Sequence, residues 1–140
     1  MRFNLKKIKI ICFFLFVFSV RAFAPEWNSF IVIQPLAIEP YRQLERAVAM
    51  VETIGDTLAY NPLEEAYGIF QIRPVRLLDF NRRTHSSYAM KDLFNYGISE
   101  EIFLYYADQV GPYNFEKIAR KWNGAGQQTD YYWDRVKELL

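Results

Sequence analysis

The sequence predicts a small, mostly α-helical domain behind an export segment. Apolar residues recur at three- and four-residue intervals in successive stretches after residue 40, and Pro40 and Pro74 stand where two of them begin. Only Phe30 to Ile33 reads as a β-prone run. The 140 residues are one domain's worth, and 51% hydrophobic against 24% charged residues supports a packed core rather than a disordered chain. Aromatics reach 18%, which implies a dense core or a groove lined with rings. The formal charge of +1 argues against a nucleic-acid binder driven by bulk charge. Cys12 is the only cysteine, which excludes a disulfide framework and a Cys-built zinc site. His85 is the only histidine and sits in a polar stretch, so no histidine-built metal site is expected. No metal, no cofactor and no nucleic acid are expected, and the domain should be monomeric.

The first 24 residues have the plan of a secretory signal peptide. Arg2, Lys6, Lys7 and Lys9 form a basic start, Ile10 to Val20 is apolar, and Ala22-Phe23-Ala24 offers small residues at a cleavage point. The run is shorter than the roughly 17–25 residues a membrane-spanning helix needs. Export to the periplasm or the exterior is the expectation. Residues 1–24 hold five of the 17 basic and none of the 16 acidic residues, so the remainder carries 12 − 16 = −4. Residues 25–38 read as an N-terminal arm or one short strand, and residues 39–140 as the helical domain.

Within that domain Tyr41 to Ile54 places apolar residues at 41, 44, 47, 48, 51 and 54, and Gly55 ends the helix. Pro74 opens a second helix through Leu77, Leu78 and Phe80, and Lys91 to Phe94 forms a short turn. Ser99 is read as the cap of a helix with Glu100 and Glu101 in its first turn, where the dipole favours negative charge. Asn114 or Tyr113 starts another, with Phe115, Ile118, Ala119 and Trp122 on one face. Thr129 is read as the cap of a last helix through Tyr132, Trp133 and Val136.

Candidate chemistry centres on Glu52. On a helical wheel it falls about 40° from Val48 and about 20° from Tyr41, on the border of the buried face. Partial desolvation there disfavours the charged carboxylate, and the negative end of the helix dipole acts in the same direction. A carboxyl that stays protonated near neutral pH is what a general acid for glycosidic cleavage needs. Taken alone, a border Glu is more often a solvated flank residue.

Further motifs follow in a fixed order. Val51-Glu52 is followed by Ala66-Tyr67-Gly68-Ile69-Phe70-Gln71-Ile72-Arg73-Pro74, then Asp92-Leu93-Phe94, Tyr106, Ile118 to Gly126, and Thr129 to Val136. From about Leu44 to Val136 this resembles the lytic transglycosylase family of the lysozyme-like superfamily. The matching features are a Glu near a helix end, an Ala-x-Gly-x-x-Gln segment one loop later, an Asp-Leu-Phe step, an Asn-containing stretch and a closing Thr-x-x-Tyr-x-x-x-Val. Thr53 stands where the pattern has Ser, and Trp122 where it has Tyr. The resemblance implies a lysozyme-like helical domain with a substrate groove, exported to act on peptidoglycan glycan strands. It implies Glu52 as the catalytic acid and base, with Gly68, Phe70, Gln71, Asn123 and Tyr132 binding substrate.

Each matched residue has its own chemistry. Gly68 lacks a side chain, so sugar or backbone can approach closely. Gln71 and Asn123 offer donors and acceptors for N-acetyl and hydroxyl groups. Tyr132 can donate its hydroxyl to Glu52. Phe70, Tyr67 and Trp122 offer faces for pyranose rings, although rings at helical spacing also build cores. A hydrolase usually needs a second carboxylate, and the candidates are Asp56, Glu64 and Glu65 in the loop after Glu52. With one acid, the family's route ends in a 1,6-anhydro ring. A hydrolytic muramidase, a catalytically silent wall-binding protein and another N-acetylated glycan such as chitin remain alternatives. Arg73, Arg76, Arg82 and Arg83 form a basic patch able to meet peptide carboxylates.

Overall fold

The computed structural model describes residues 39–124 and 126–140. The export segment expected over residues 1–24 and the arm expected over 25–38 lie outside the described residues. Five α-helices dominate: α1 (Arg42–Thr53), α2 (Pro74–Thr84), α3 (Tyr96–Asp108), α4 (Phe115–Asn123) and α5 (Gln128–Lys137). A hairpin of two short strands, β1 (Tyr60–Asn61) and β2 (Ala66–Tyr67), separates α1 from α2, and a 3₁₀ turn over Met90–Phe94 precedes α3. The strands are antiparallel, with Tyr60 opposite Tyr67 and Asn61 opposite Ala66. None of the described helices is long and apolar enough to cross a membrane.

The amphipathic readings of α1 and α4 hold. Tyr41, Leu44, Ala47, Val48 and Val51 are buried, as are Ile118, Ala119 and Trp122. These faces close over a core in which Phe70, Phe80, Phe103, Ile72, Leu93, Ile102 and Val136 lose nearly all exposure. Phe70 and Phe103 stack with centroids 4.8 Å apart, and the Trp122 indole meets Phe103 edge-on at 4.9 Å. Helix α5 packs on both α1 and α4, which brings the last of the described helices back onto the first of them.

Three element boundaries differ from the sequence reading. Ser99 does not cap α3: Asn95 does, accepting from the Ile98 amide, and Ser99 lies fully buried with its hydroxyl donating to the Leu93 carbonyl at 2.6 Å. Thr129 lies inside α5 rather than at its cap, and its hydroxyl donates to the Gly126 carbonyl at 2.7 Å. Ile54 is not on the buried face of α1. It ends the helix in the left-handed region with φ 57° and is 81% exposed. A β-branched residue there carries strain that glycine would not.

Gly68 is held by packing. Its φ is 71°, it is buried, and a Cβ at this position would lie 2.0 Å from the Leu93 carbonyl oxygen. The 3₁₀ turn therefore seats directly on the glycine. Gly68→Ala should cost about 3 kcal/mol of unfolding free energy, since an immovable backbone atom blocks the methyl. Ile54→Gly should instead stabilise by about 1 kcal/mol through relief of strain at an exposed cap. Urea unfolding of the two variants beside the parent chain measures both, and the opposite signs separate a packing glycine from a strained cap.

Candidate functional site

The end of α1 meets a tightly held turn. Thr53 donates from Oγ1 to the Ile69 carbonyl at 3.1 Å, and the Trp122 indole N–H of α4 donates to the Phe70 carbonyl at 3.1 Å. Tyr67 and Ile72 exchange backbone hydrogen bonds at 3.0 and 2.9 Å. The chain between them turns through Gln71, whose φ of 50° is left-handed and whose side-chain amide donates to the Gly68 carbonyl at 3.1 Å. Such a φ is uncommon for a residue with a side chain and persists because the surrounding bonds fix it. The result is a side-chain amide pinned to its own rigid turn.

Two adjoining hollows of about 370 and about 320 Å³ share Glu52, Glu64, Gln71, Asn123 and Gln128, so they form one polar trough with Glu52 at the junction. Arg73, Arg76 and Trp122 line one end; Val51, Asn61, Tyr131, Tyr132 and Arg135 line the other. Tyr132 donates its hydroxyl to Glu52 Oε1 at 2.8 Å across 80 residues of sequence. Asn123 is the last residue of α4 and lines both hollows, while Gly124 takes the cap.

Glu52 is half-buried, and its carboxyl is pushed up to about 7 from an ordinary 4.5. Desolvation is the main cause. The Tyr132 hydrogen bond opposes it, Glu64 adds to it, and the cations of Arg76 and Arg135 oppose it again. In the other direction, burial and the Glu52 charge hold the Tyr132 phenol far above its usual range, so it remains a donor. Arg135 is fixed by donating to the Val51 carbonyl at 3.1 Å, a cation at the negative end of α1. Arg76 lies 4.0 Å from the Trp122 ring centroid and donates to the Trp122 carbonyl at 3.0 Å.

The structure brings together Glu52, Gln71, Asn123 and Tyr132 and sets two expected residues elsewhere. Phe70 is fully buried beneath Phe103 and Trp122, so its ring cannot stack on a ligand. Gly68 is buried against Leu93 and does not line the trough. Tyr67 packs between Tyr60 and Phe94, with centroids at 4.6 and 5.7 Å. Of the loop carboxylates only Glu64 faces the trough; Asp56 accepts from the Leu58 amide in a turn, and Glu65 lines neither hollow. The basic patch divides: Arg73 and Arg76 enter the trough, whereas Arg82 and Arg83 pair with Asp79 at 2.7 Å. Gln128, Asn61 and Arg135 also line the trough, and no spacing rule marks them in the sequence. Among the described residues, no group of three or more His, Cys, Asp or Glu could hold a metal ion. No family model, curated protein or solved structure matches the chain.

The raised carboxyl has a thermodynamic signature. Between about 4.5 and about 7 Glu52 keeps its proton when folded and loses it when unfolded. Its contribution to stability therefore falls as pH rises through that window. Glu52→Gln removes the titration, so its stability relative to the parent should improve by on the order of 2 kcal/mol between about pH 5 and about pH 8. Denaturant melts of both proteins at the two pH values measure this difference, and equal shifts at both would show that Glu52 is not desolvated.

Proposed function

We propose that the protein is a peptidoglycan lytic transglycosylase with a lysozyme-like fold, in which Glu52 is the single acid and base. The observation that carries the reading is the 2.8 Å hydrogen bond from the Tyr132 hydroxyl to a half-buried Glu52 that lines an amide-rich trough. Glu52 holds a proton near neutral pH and gives it to the oxygen linking MurNAc to GlcNAc as that bond breaks. The bonding electrons leave with the oxygen, and the carbonyl oxygen of the sugar's own N-acetyl group supplies a pair to the anomeric carbon, giving an oxazolinium-like ring. The Glu52 carboxylate then removes the proton of the C6 hydroxyl. The C6 oxygen closes on the anomeric carbon, the ring opens to restore the N-acetyl group, and Glu52 regains its proton. Gln71 and Asn123 present the donors and acceptors that N-acetyl and hydroxyl groups need. The Tyr132 phenol and the Arg76 and Arg135 cations favour the carboxylate formed between the two transfers. No cofactor enters this route.

Hydrolysis is the second reading, and Glu64 on the same trough is what favours it, since a second carboxylate can activate water. Product mass separates the two, because the anhydro product is one water lighter than the hydrolysed one. With purified sacculi, the expected products are anhydro-muropeptides. Glu52→Gln should lower the rate at least about a thousandfold, as loss of the acid removes both proton transfers. The parent rate should fall as pH rises through about 7, where Glu52 loses its proton. Undiminished cleavage by Glu52→Gln would overturn the assignment, and binding of walls without any cleavage would leave a wall-binding protein.

A further inference from the structure

Glu45, in the first turn of α1, takes no part in the proposed reaction. It is 8% exposed, and among the described residues its carboxyl accepts no hydrogen bond and forms no ion pair. A buried carboxyl without a partner is uncommon, because donors normally offset its desolvation. The two carboxylates beside it are partnered. Arg42 donates to Glu39, and the Tyr96 hydroxyl of α3 donates to Glu100 at 2.8 Å. Glu45 is therefore the carboxyl of this group that lacks a donor. All three line a hollow of about 260 Å³ whose other walls are Pro40, Tyr41 and Leu104. The Tyr41 hydroxyl is likewise buried without a hydrogen bond, with the Asp108 carboxylate close enough to act on it. No residue of this hollow lines the trough.

Carboxylates beside apolar walls suit a cation carried on an alkyl stem, since the stem covers the apolar surface while the head meets the charge. A metal ion fits less well, because among the described residues no group of three or more His, Cys, Asp or Glu could hold one. Between organic cations, an ammonium has three donors on a compact, rotating head. These can be shared among carboxylates arriving from the start of α1 and from α3. The planar guanidinium fork is matched to a single carboxylate bound through both oxygens. We infer that this hollow binds a primary alkylammonium group, with Glu45 forming the ion pair and Glu39 and Glu100 supplying the surrounding negative field. A free alkyl amine and the lysine side chain of another polypeptide share this chemistry. The inference rests on no reading of the trough. Glu45 must be ionised to form the pair, and its carboxyl is pushed up to about 7, by burial first, then by Glu100 and Glu39, with Arg42 opposing. The phenols of Tyr41 and Tyr96, each pushed up to about 12, stay protonated over the same range. An alkylammonium keeps its charge to about pH 10. Affinity should therefore rise between about pH 6 and about pH 8. Attraction to exposed carboxylates, which ionise near pH 4, would stay level across that range.

The test titrates the full chain by NMR with n-pentylammonium, with a lysine blocked at both backbone ends, and with 1-pentanol as the neutral control. Binding of an amine probe at pH 8 should be on the order of millimolar and about tenfold weaker at pH 6, following the ionisation of Glu45. Glu45→Gln keeps the side chain's shape and should weaken binding at pH 8 about tenfold, the size of one charge-assisted pair. Glu138→Gln removes the same charge from an exposed position outside the hollow and should leave binding unchanged. Glu100→Gln leaves Glu45 in place, so it should weaken binding at pH 8 only a few-fold and move the rise in affinity to lower pH. Tighter binding of the blocked lysine assigns the hollow to a polypeptide side chain, and tighter binding of n-pentylammonium to a free amine; each sustains the inference. It is overturned if neither amine binds, if 1-pentanol binds as tightly, if affinity is level between pH 6 and pH 8, or if Glu138→Gln weakens binding as much as Glu45→Gln does.

Discussion

The carbonyls of Ile69 and Phe70 are each taken by a side chain from a different helix, and the site depends on that double attachment. Thr53 reaches one from the residue next to Glu52, and Trp122 reaches the other from the residue next to Asn123. Two consecutive backbone oxygens thereby set the distance between the acid on α1, the amide at the end of α4 and the amide of Gln71. The strain of the left-handed Gln71 is tolerated because these bonds and the Tyr67–Ile72 pair leave the turn no other conformation. Phe70 serves the site through its buried ring, which anchors the turn in the core. A ligand never needs to touch it.

The helices were legible in the sequence because an apolar stripe repeats, and repetition averages over local exceptions. The α1 reading survives one misplaced residue, Ile54, because five others agree. Boundaries were less legible where a hydroxyl had two uses. Ser99 and Thr129 each resemble caps, yet both hydroxyls are satisfied by carbonyls upstream, at Leu93 and Gly126. The hairpin was not legible, since strands of two residues have no period to detect. Within the Ala66–Pro74 segment no face could be assigned, so Gly68 and Phe70 looked as available as Gln71. What separates them is which way a turn points, and the 3₁₀ turn and α4 fix that from far along the chain.

Opposing electrostatic effects meet at Glu52, with burial the largest. Burial alone would drive a carboxyl's proton affinity far up, and a phenol plus two guanidiniums alone would drive it down. Their sum leaves it near neutrality, the range in which an acid can give a proton and recover it. The cations also have structural duties: Arg135 closes the end of α1 and Arg76 closes the end of α4, on the Lys121 and Trp122 carbonyls. The groups that temper the acid are thus the same ones that terminate the helices carrying the trough, so the site's charge balance is tied to the packing of the fold.

Glu45 shows why a raised carboxyl is insufficient to mark a catalytic site. It too is pushed up to about 7, by burial first and then by the charges of Glu100 and Glu39. It lies in a smaller hollow with Glu39, Pro40, Tyr41, Glu100 and Leu104, where the neighbouring charges are mostly of its own sign. Glu45 can hold a proton, but the anion left after giving it away would face two carboxylates with Arg42 alone to offset them. At Glu52 the anion would find a phenol donor at 2.8 Å and two cations fixed in place. A general acid must be stable in both states in turn, and of these two glutamates only Glu52 is surrounded by groups that serve both.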